Sequence, residues 1–205
     1  MKSFPYGLPA GVLLDFAGFA IPAGWLECDG ASLLRASYPA LFAAITSVQA
    51  CTFVNASVTV VVADSSLLYV GEPVEASKLP AGTTVASIVN ATEITVSQNA
   101  TSAGAANATF LPFLAADATH FNLPTANNRV AVGNDSAGAV FTRKVLGEIG
   151  GEEEHVLGTG EAPTLDTSGY VVAEGATAAV TGYYAAGSAH NNLPPYLVVR
   201  KIIKT

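Results

Sequence analysis

The sequence predicts a mainly β chain with one short α-helix. Two observations carry that prediction. Short runs rich in Val, Thr and Ile recur between Asp, Gly, Pro and Asn, and 19 Gly and 11 Pro punctuate the 205 residues. Helical spacing of large apolar residues stands out in a single segment, 38–45.

That segment, YPALFAAI, places Leu41, Phe42 and Ile45 on one helical face. Pro39 falls at the helix start, where its missing N–H is harmless, and Ser37 is the expected cap. From 51 to 113 the texture shifts to Val, Thr, Ala and Ser. Runs at 58–62, 84–89 and 93–97 read as strands, and in TEITVS the alternation puts Ile94 and Val96 on one face. The stretch LPAGTTV carries a Pro-Ala-Gly turn between two of these strands. Residues 161–192 hold almost no large aliphatics. The chain closes on NNLPPYLVVRKIIK, a Pro-fixed entry into a strand expected over 197–203.

Charge excludes some functions. Only 12% of residues are charged and the net charge is −7, with Lys and Arg together numbering nine. Sequence-independent nucleic-acid binding needs clustered basic residues, so no nucleic-acid partner is expected. No run approaches the ~20 apolar residues of a membrane span, so membrane insertion is not expected. The apolar N-terminal run is broken by Pro5, Pro9 and Asp15 and does not read as a secretory signal. Cys28 and Cys51 do not make a disulfide framework; buried thiols are expected, with pairing between them left open.

Motifs of enzyme chemistry are missing: there is no nucleophile elbow, phosphate loop, dinucleotide fingerprint or zinc-protease helix. His120, His155 and His190 lie far apart, and the acidic run 152–154 before His155 reads as a solvated turn. Asn-x-Ser/Thr matches at Asn55, Asn90, Asn99, Asn107 and Asn134 read as turn and strand-edge residues rather than glycan acceptors. Neither cofactor nor catalytic residues are assigned.

Four ordered blocks then point to a family. PAGWLECDG (22–30), within a longer opening stretch that ends in YPALFAAI, is the most specific. FNLPTANNRVAVGND (121–135) follows, with Thr125 where an Asp is usual, and with Arg129 in place. GEIGGEEEHVLGTGEAP (147–163) and HNNLPPYLVVRKIIK (190–204) complete the set, the last containing Pro194 and Pro195. Together they resemble the bacteriophage tail collar family, found in short tail fibres and in related phage-derived bacterial proteins.

The resemblance implies a collar-type fold and a non-enzymatic virion protein. It divides the chain into a collar part over 1–50, an inserted small all-β subdomain over 51–113, and a second collar part over 114–205. It implies that Trp25 is a packing anchor with its indole N–H satisfied, that Cys28 belongs to the same structural motif, and that Asp29 and Gly30 make the turn behind it. The family's His-x-His pair, which can hold a metal on a three-fold axis, aligns after Pro163 with Leu165 and Thr167, so no metal is expected. An intertwined homotrimer is expected through 161–192, a segment too poor in large aliphatics to form a core alone. Expected partners are other copies of the chain, other phage tail or baseplate proteins, and a host cell-surface glycan or protein. The expected location is the virion tail, after assembly in the host bacterial cytoplasm. Two alternatives stand beside this: a phage-derived bacterial protein with a collar domain, and a surface-polysaccharide hydrolase. The hydrolase needs a carboxylate pair, and Asp117, Asp135, Asp166 and Glu174 show none in sequence.

Overall fold

Short strands separated by glycine- and proline-rich turns build most of the protein. A computed structural model describes residues 7–113, 118–134, 145–156, 190–192 and 195–205. Their contacts gather into two units, 1–148 with 198–205, and 149–197. In chain order the elements begin with β1 (Leu13–Phe16), β2 (Trp25–Glu27), β3 (Ser32–Leu34), α1 (Pro39–Ile45), β4 (Ser47–Phe53), β5 (Thr59–Val61) and β6 (Val74–Ala76). They continue with β7 (Val85–Asn90), β8 (Glu93–Val96), β9 (Gly104–Phe110), β10 (His120–Asn122), β11 (Glu154–His155), β12 (His190–Asn191) and β13 (Arg200–Lys204). Among the described residues the fold is therefore mainly β with a single short helix.

In the first unit, β13 lies between β1 and β2, antiparallel to both. The register sets Leu13, Ile203 and Leu26 in one row. That row faces a core made by Cys28, Leu41, Ile45, Phe121, Leu123 and Ile203. Strands β3 and β10 pair beside it. A seven-residue helix is too short to persist alone in water; α1 is held because Leu41 and Ile45 are buried in this core.

Pro39 occupies the first turn of α1 as expected, but Ser37 is not its cap. The N-cap is Tyr38, with no side-chain cap bond, because the chain turns one residue later than the sequence pattern indicates. The other end is closed by the Thr46 hydroxyl donating to the Phe42 carbonyl at 2.8 Å. The terminal strand is also shorter than expected: it begins at Arg200, and Tyr196, Leu197 and Val198 run into it exposed.

The remaining strands of the first unit form one sheet in the order β6-β9-β4-β5-β8-β7. Its two outer strands meet again at one end. Pro73 and Thr84 form a bridge, Val85 N–H donates to the Glu72 carbonyl at 2.8 Å, and Val74 N–H donates to the Thr83 carbonyl at 3.0 Å. The sheet thus curls into a small barrel, which leaves little open edge for another chain to pair with. Inside it pack Cys51, Phe53, Val60, Val62, Leu68, Val74, Val85, Ile94, Val96, Ala100, Ala108 and Phe110. Ile94 and Val96 share the inward face, as the alternation in TEITVS predicts.

The β texture begins earlier than the expected boundary at 51. Strand β4 starts at Ser47, with only Thr46 between it and the helix. Its pairing with β9 extends to Ser47↔Phe110, and a seven-residue ladder outweighs the weak strand propensity of Ser47 and Gln49. Chain entry and exit are therefore neighbours at one end of the barrel. At Asn90 the side chain accepts the Thr92 N–H at 2.9 Å, the turn role read for that site.

The second unit contributes the two-residue pair β11–β12, with His155 opposite His190 in the backbone register. Residues 161–189, which make up all but the last three positions of the expected trimer-forming segment and include Pro163, Leu165 and Thr167, lie outside the described residues, as does Pro194.

Candidate functional site

The segment PAGWLECDG is where the separated blocks meet. Pro22 offers its carbonyl to Trp25 N–H at 3.2 Å, and Gly24 takes φ +79, so the chain turns sharply into β2. Alternation then decides which side chains enter the core. Leu26 and Cys28 share the inward face, with Cys28 0% exposed, while Trp25 and Glu27 point the other way.

Trp25 is consequently half-buried and opposite Lys204 in the register, outside the core cluster. The core cluster gathers around Cys28, because the two positions differ by an odd number of residues in a strand and so face opposite ways.

Cys28 is also the junction of the backbone network. Its N–H donates to the Lys201 carbonyl at 2.9 Å, and its carbonyl accepts the Ala126 N–H at 2.9 Å. One residue on, Asp29 bridges to Thr125, and its carboxylate accepts the Ala31 N–H at 2.9 Å. Leu123 N–H then donates to the Ala31 carbonyl at 2.9 Å. The opening block, the 121–135 block and the closing strand are thereby zipped together. Arg129 sits exposed just past this zipper, its N–H donating to the Ala126 carbonyl at 3.2 Å. Pro195 is exposed before β13.

Just after the Asp29 bridge, the backbone at position 30 requires glycine. It adopts φ +82, and a Cβ built there would lie 2.6 Å from the Thr125 hydroxyl oxygen. Gly30→Ala is therefore expected to cost about 1–2 kcal/mol of stability. Urea unfolding followed by the fluorescence of Trp25, the chain's one tryptophan, checks this; an unchanged midpoint would contradict the geometry.

The cysteines lie in different cores, Cys28 with Leu41 and Phe121 and Cys51 inside the barrel, and both are free thiols. Burial pushes each thiol up to about 11, which makes them poor nucleophiles and poor redox centres. No group of three or more His, Cys, Asp or Glu side chains among the described residues is placed to hold a metal ion. His155 Nδ1 contacts the Glu152 carboxylate, a local pair within the acidic run.

Two depressions accompany this arrangement. One, about 10 Å³, lies between the helix end and the 111–113 segment. The other, about 300 Å³, is lined by Tyr69, Val70, Ile88, Val145 and Glu148. Neither brings together two carboxylates at the spacing glycoside hydrolysis needs. Asp117, Asp135, Asp166 and Glu174 fall outside the described residues.

What the residues build is a packed structural motif. Residues 11–48 match the family model of the phage tail collar domain. No curated protein and no solved structure matches the chain. The matched collar segment runs from the turn before β1 through α1 into β4, and so contains Trp25, Cys28, Asp29 and Gly30. The collar domain is a structural domain of phage tails, and the match supports a phage tail structural protein and a virion tail component.

Sequence reading missed two residues that join the collar segment to the barrel, Arg35 and Glu75. Their signal was faint: a lone Arg after apolar β3, and a lone Glu between inward-facing Val74 and Ala76.

Proposed function

We propose that the protein is a non-enzymatic joint of the phage tail, in which a collar-type module anchors a homotrimer and carries the barrel as an outward contact surface. The observation that carries this reading is the collar match at 11–48, together with the convergence of the collar blocks on Cys28. The exposed run Tyr196, Leu197 and Val198 supports burial against further copies of the chain, as does the composition of 161–192. Leu165 in three copies would form an apolar plug where the family can hold a metal.

The character of the barrel's outer face favours contact with neighbouring virion proteins. Across β9, β4 and β5 it presents Ala105, Asn107, Thr109, Val48, Ala50, Thr52 and Val61, without a charge and without the Tyr or Trp platform common in strong sugar recognition. The second reading, a host-facing surface, rests on the same exposed face.

Solution mass should give three chains; a stable folded monomer at micromolar concentration would refute the trimer. Replacing 47–110 with a short Gly/Ser linker, combined with Arg35→Gln to remove the cation left behind, should keep the trimer. Particles that then fail to assemble identify the lateral contact, while normal assembly with lost adsorption identifies the host-facing role. An aggregated or monomeric product would place the barrel within the trimer core and overturn the division.

A further inference from the structure

Arg35 occupies the space between the collar core and the barrel. On the collar side it is held three ways. Its backbone N–H donates to the Thr119 carbonyl at 3.0 Å, its Nε donates to the His120 carbonyl at 2.9 Å, and its guanidinium carbon lies 4.7 Å from the centre of the Phe42 ring. Phe42 in turn packs on Phe121 at 5.5 Å between centroids. These contacts aim the remaining fork at the barrel, where Nη1 and Nη2 each donate to one Glu75 oxygen at 2.7 Å. A planar, two-bond pair of this kind resists rotation, as a single point charge does not.

Position makes that resistance matter. The chain enters the barrel at Ser47 and leaves at Phe110, which are register partners, so the covalent connections meet at one place and by themselves form a pivot. Glu75 opposes Thr109 on β9, and Thr109 opposes Val48 on β4. Glu75 therefore lies one strand, about 5 Å, from the exit strand β9 and two strands, about 10 Å, from the entry strand β4, so the ion pair ties the barrel down to one side of its two connections. A second tie, the Tyr69 hydroxyl donating to the Pro112 carbonyl at 2.7 Å, holds the exit segment.

We propose that the Arg35–Glu75 pair is an orientation latch, which fixes the barrel on the collar core so that the two move as one body. Load on the barrel then passes into the collar without hinge motion. This inference does not depend on the tail assignment or on the oligomeric state.

Pulsed electron–electron resonance distances test it, with spin labels at Leu14→Cys on β1 and Val61→Cys on β5, both exposed. Cys28 and Cys51 are buried and stay unlabelled. Labelled chains are diluted into unlabelled protein so that only the distance within one chain is read. The unaltered pair should give one narrow distance. Arg35→Ala and Glu75→Gln should each lose it, giving a broad or two-peaked distribution, and Arg35→Lys, which keeps the charge but not the fork, should also broaden it. A lowered Tm with the distance still narrow overturns the latch, since it leaves the pair a merely stabilising role. Should Arg35→Ala fail to fold, Glu75→Gln decides alone, because Glu75 lies on the outer face of a three-residue strand.

Discussion

Replacing Glu72 with Gln is expected to stabilise the protein at pH 8 by about 2–3 kcal/mol and to remove a fall in stability between pH 5 and pH 8. Glu72 lies at the barrel seam, 2% exposed, with its backbone carbonyl accepting Val85 N–H. Its carboxylate accepts one donor, the Tyr69 N–H at 3.3 Å. Burial pushes the carboxyl up from 4.5 to about 7, and that single hydrogen bond offsets only part of the shift. Tyr69 is pushed up to about 12, by its own burial first and then by Glu72 and Glu148.

The sign follows from proton uptake. Between pH 4.5 and about 7 the native chain holds a proton on Glu72 that the unfolded chain has released. Stability from this group is therefore complete below pH 4.5, declines as pH rises through that window, and is lost above about 7. Gln keeps the shape and can still accept from Tyr69 without ever carrying charge. Urea unfolding of both proteins at pH 5 and pH 8 provides the comparison. If the Gln variant loses as much stability over that range as the parent, another group governs the dependence.

The second large effect is expected at Phe110, where truncation to Ala should cost about 3–5 kcal/mol. Phe110 is 0% exposed, fills the barrel interior, and sits at the end of β9 opposite both Ser47 and Val74. Removing its ring leaves a void where three strands and the chain exit meet. Trp25 lies in the β1-β13-β2 sheet, so its fluorescence reports the collar core, whereas far-UV circular dichroism reports the whole. With the two parts latched, both signals should move to lower urea together. A Trp25 transition left in place while the circular dichroism shifts would mean that the collar core stands without the barrel. Unchanged midpoints for both would show that Phe110 carries little of the packing.

Local pattern alone determined several features. The spacing of Leu41, Phe42 and Ile45 marked the helix, and the alternation of Ile94 and Val96 marked an inward strand face. Each depends on residues a few positions apart, whose side-chain directions follow from the backbone repeat. The opening block was also legible, and it carries the match to the phage tail collar domain.

Tertiary structure decided what those local rules leave open. The phase of β2, set by its pairing with β13, placed Cys28 in the core cluster and turned Trp25 to the other face. The start of β4 at Ser47 depends on a ladder to β9, and closure of the barrel on a bridge between Pro73 and Thr84. Arg35 and Glu75 meet only because the helix passes directly into β4 and the barrel curls back beside it. Cys28 and Cys51, near in sequence, are parted into two cores by the same path. In each case the deciding energy comes from contacts between distant segments, which exist only after the chain has closed on itself, so no window of sequence contains it.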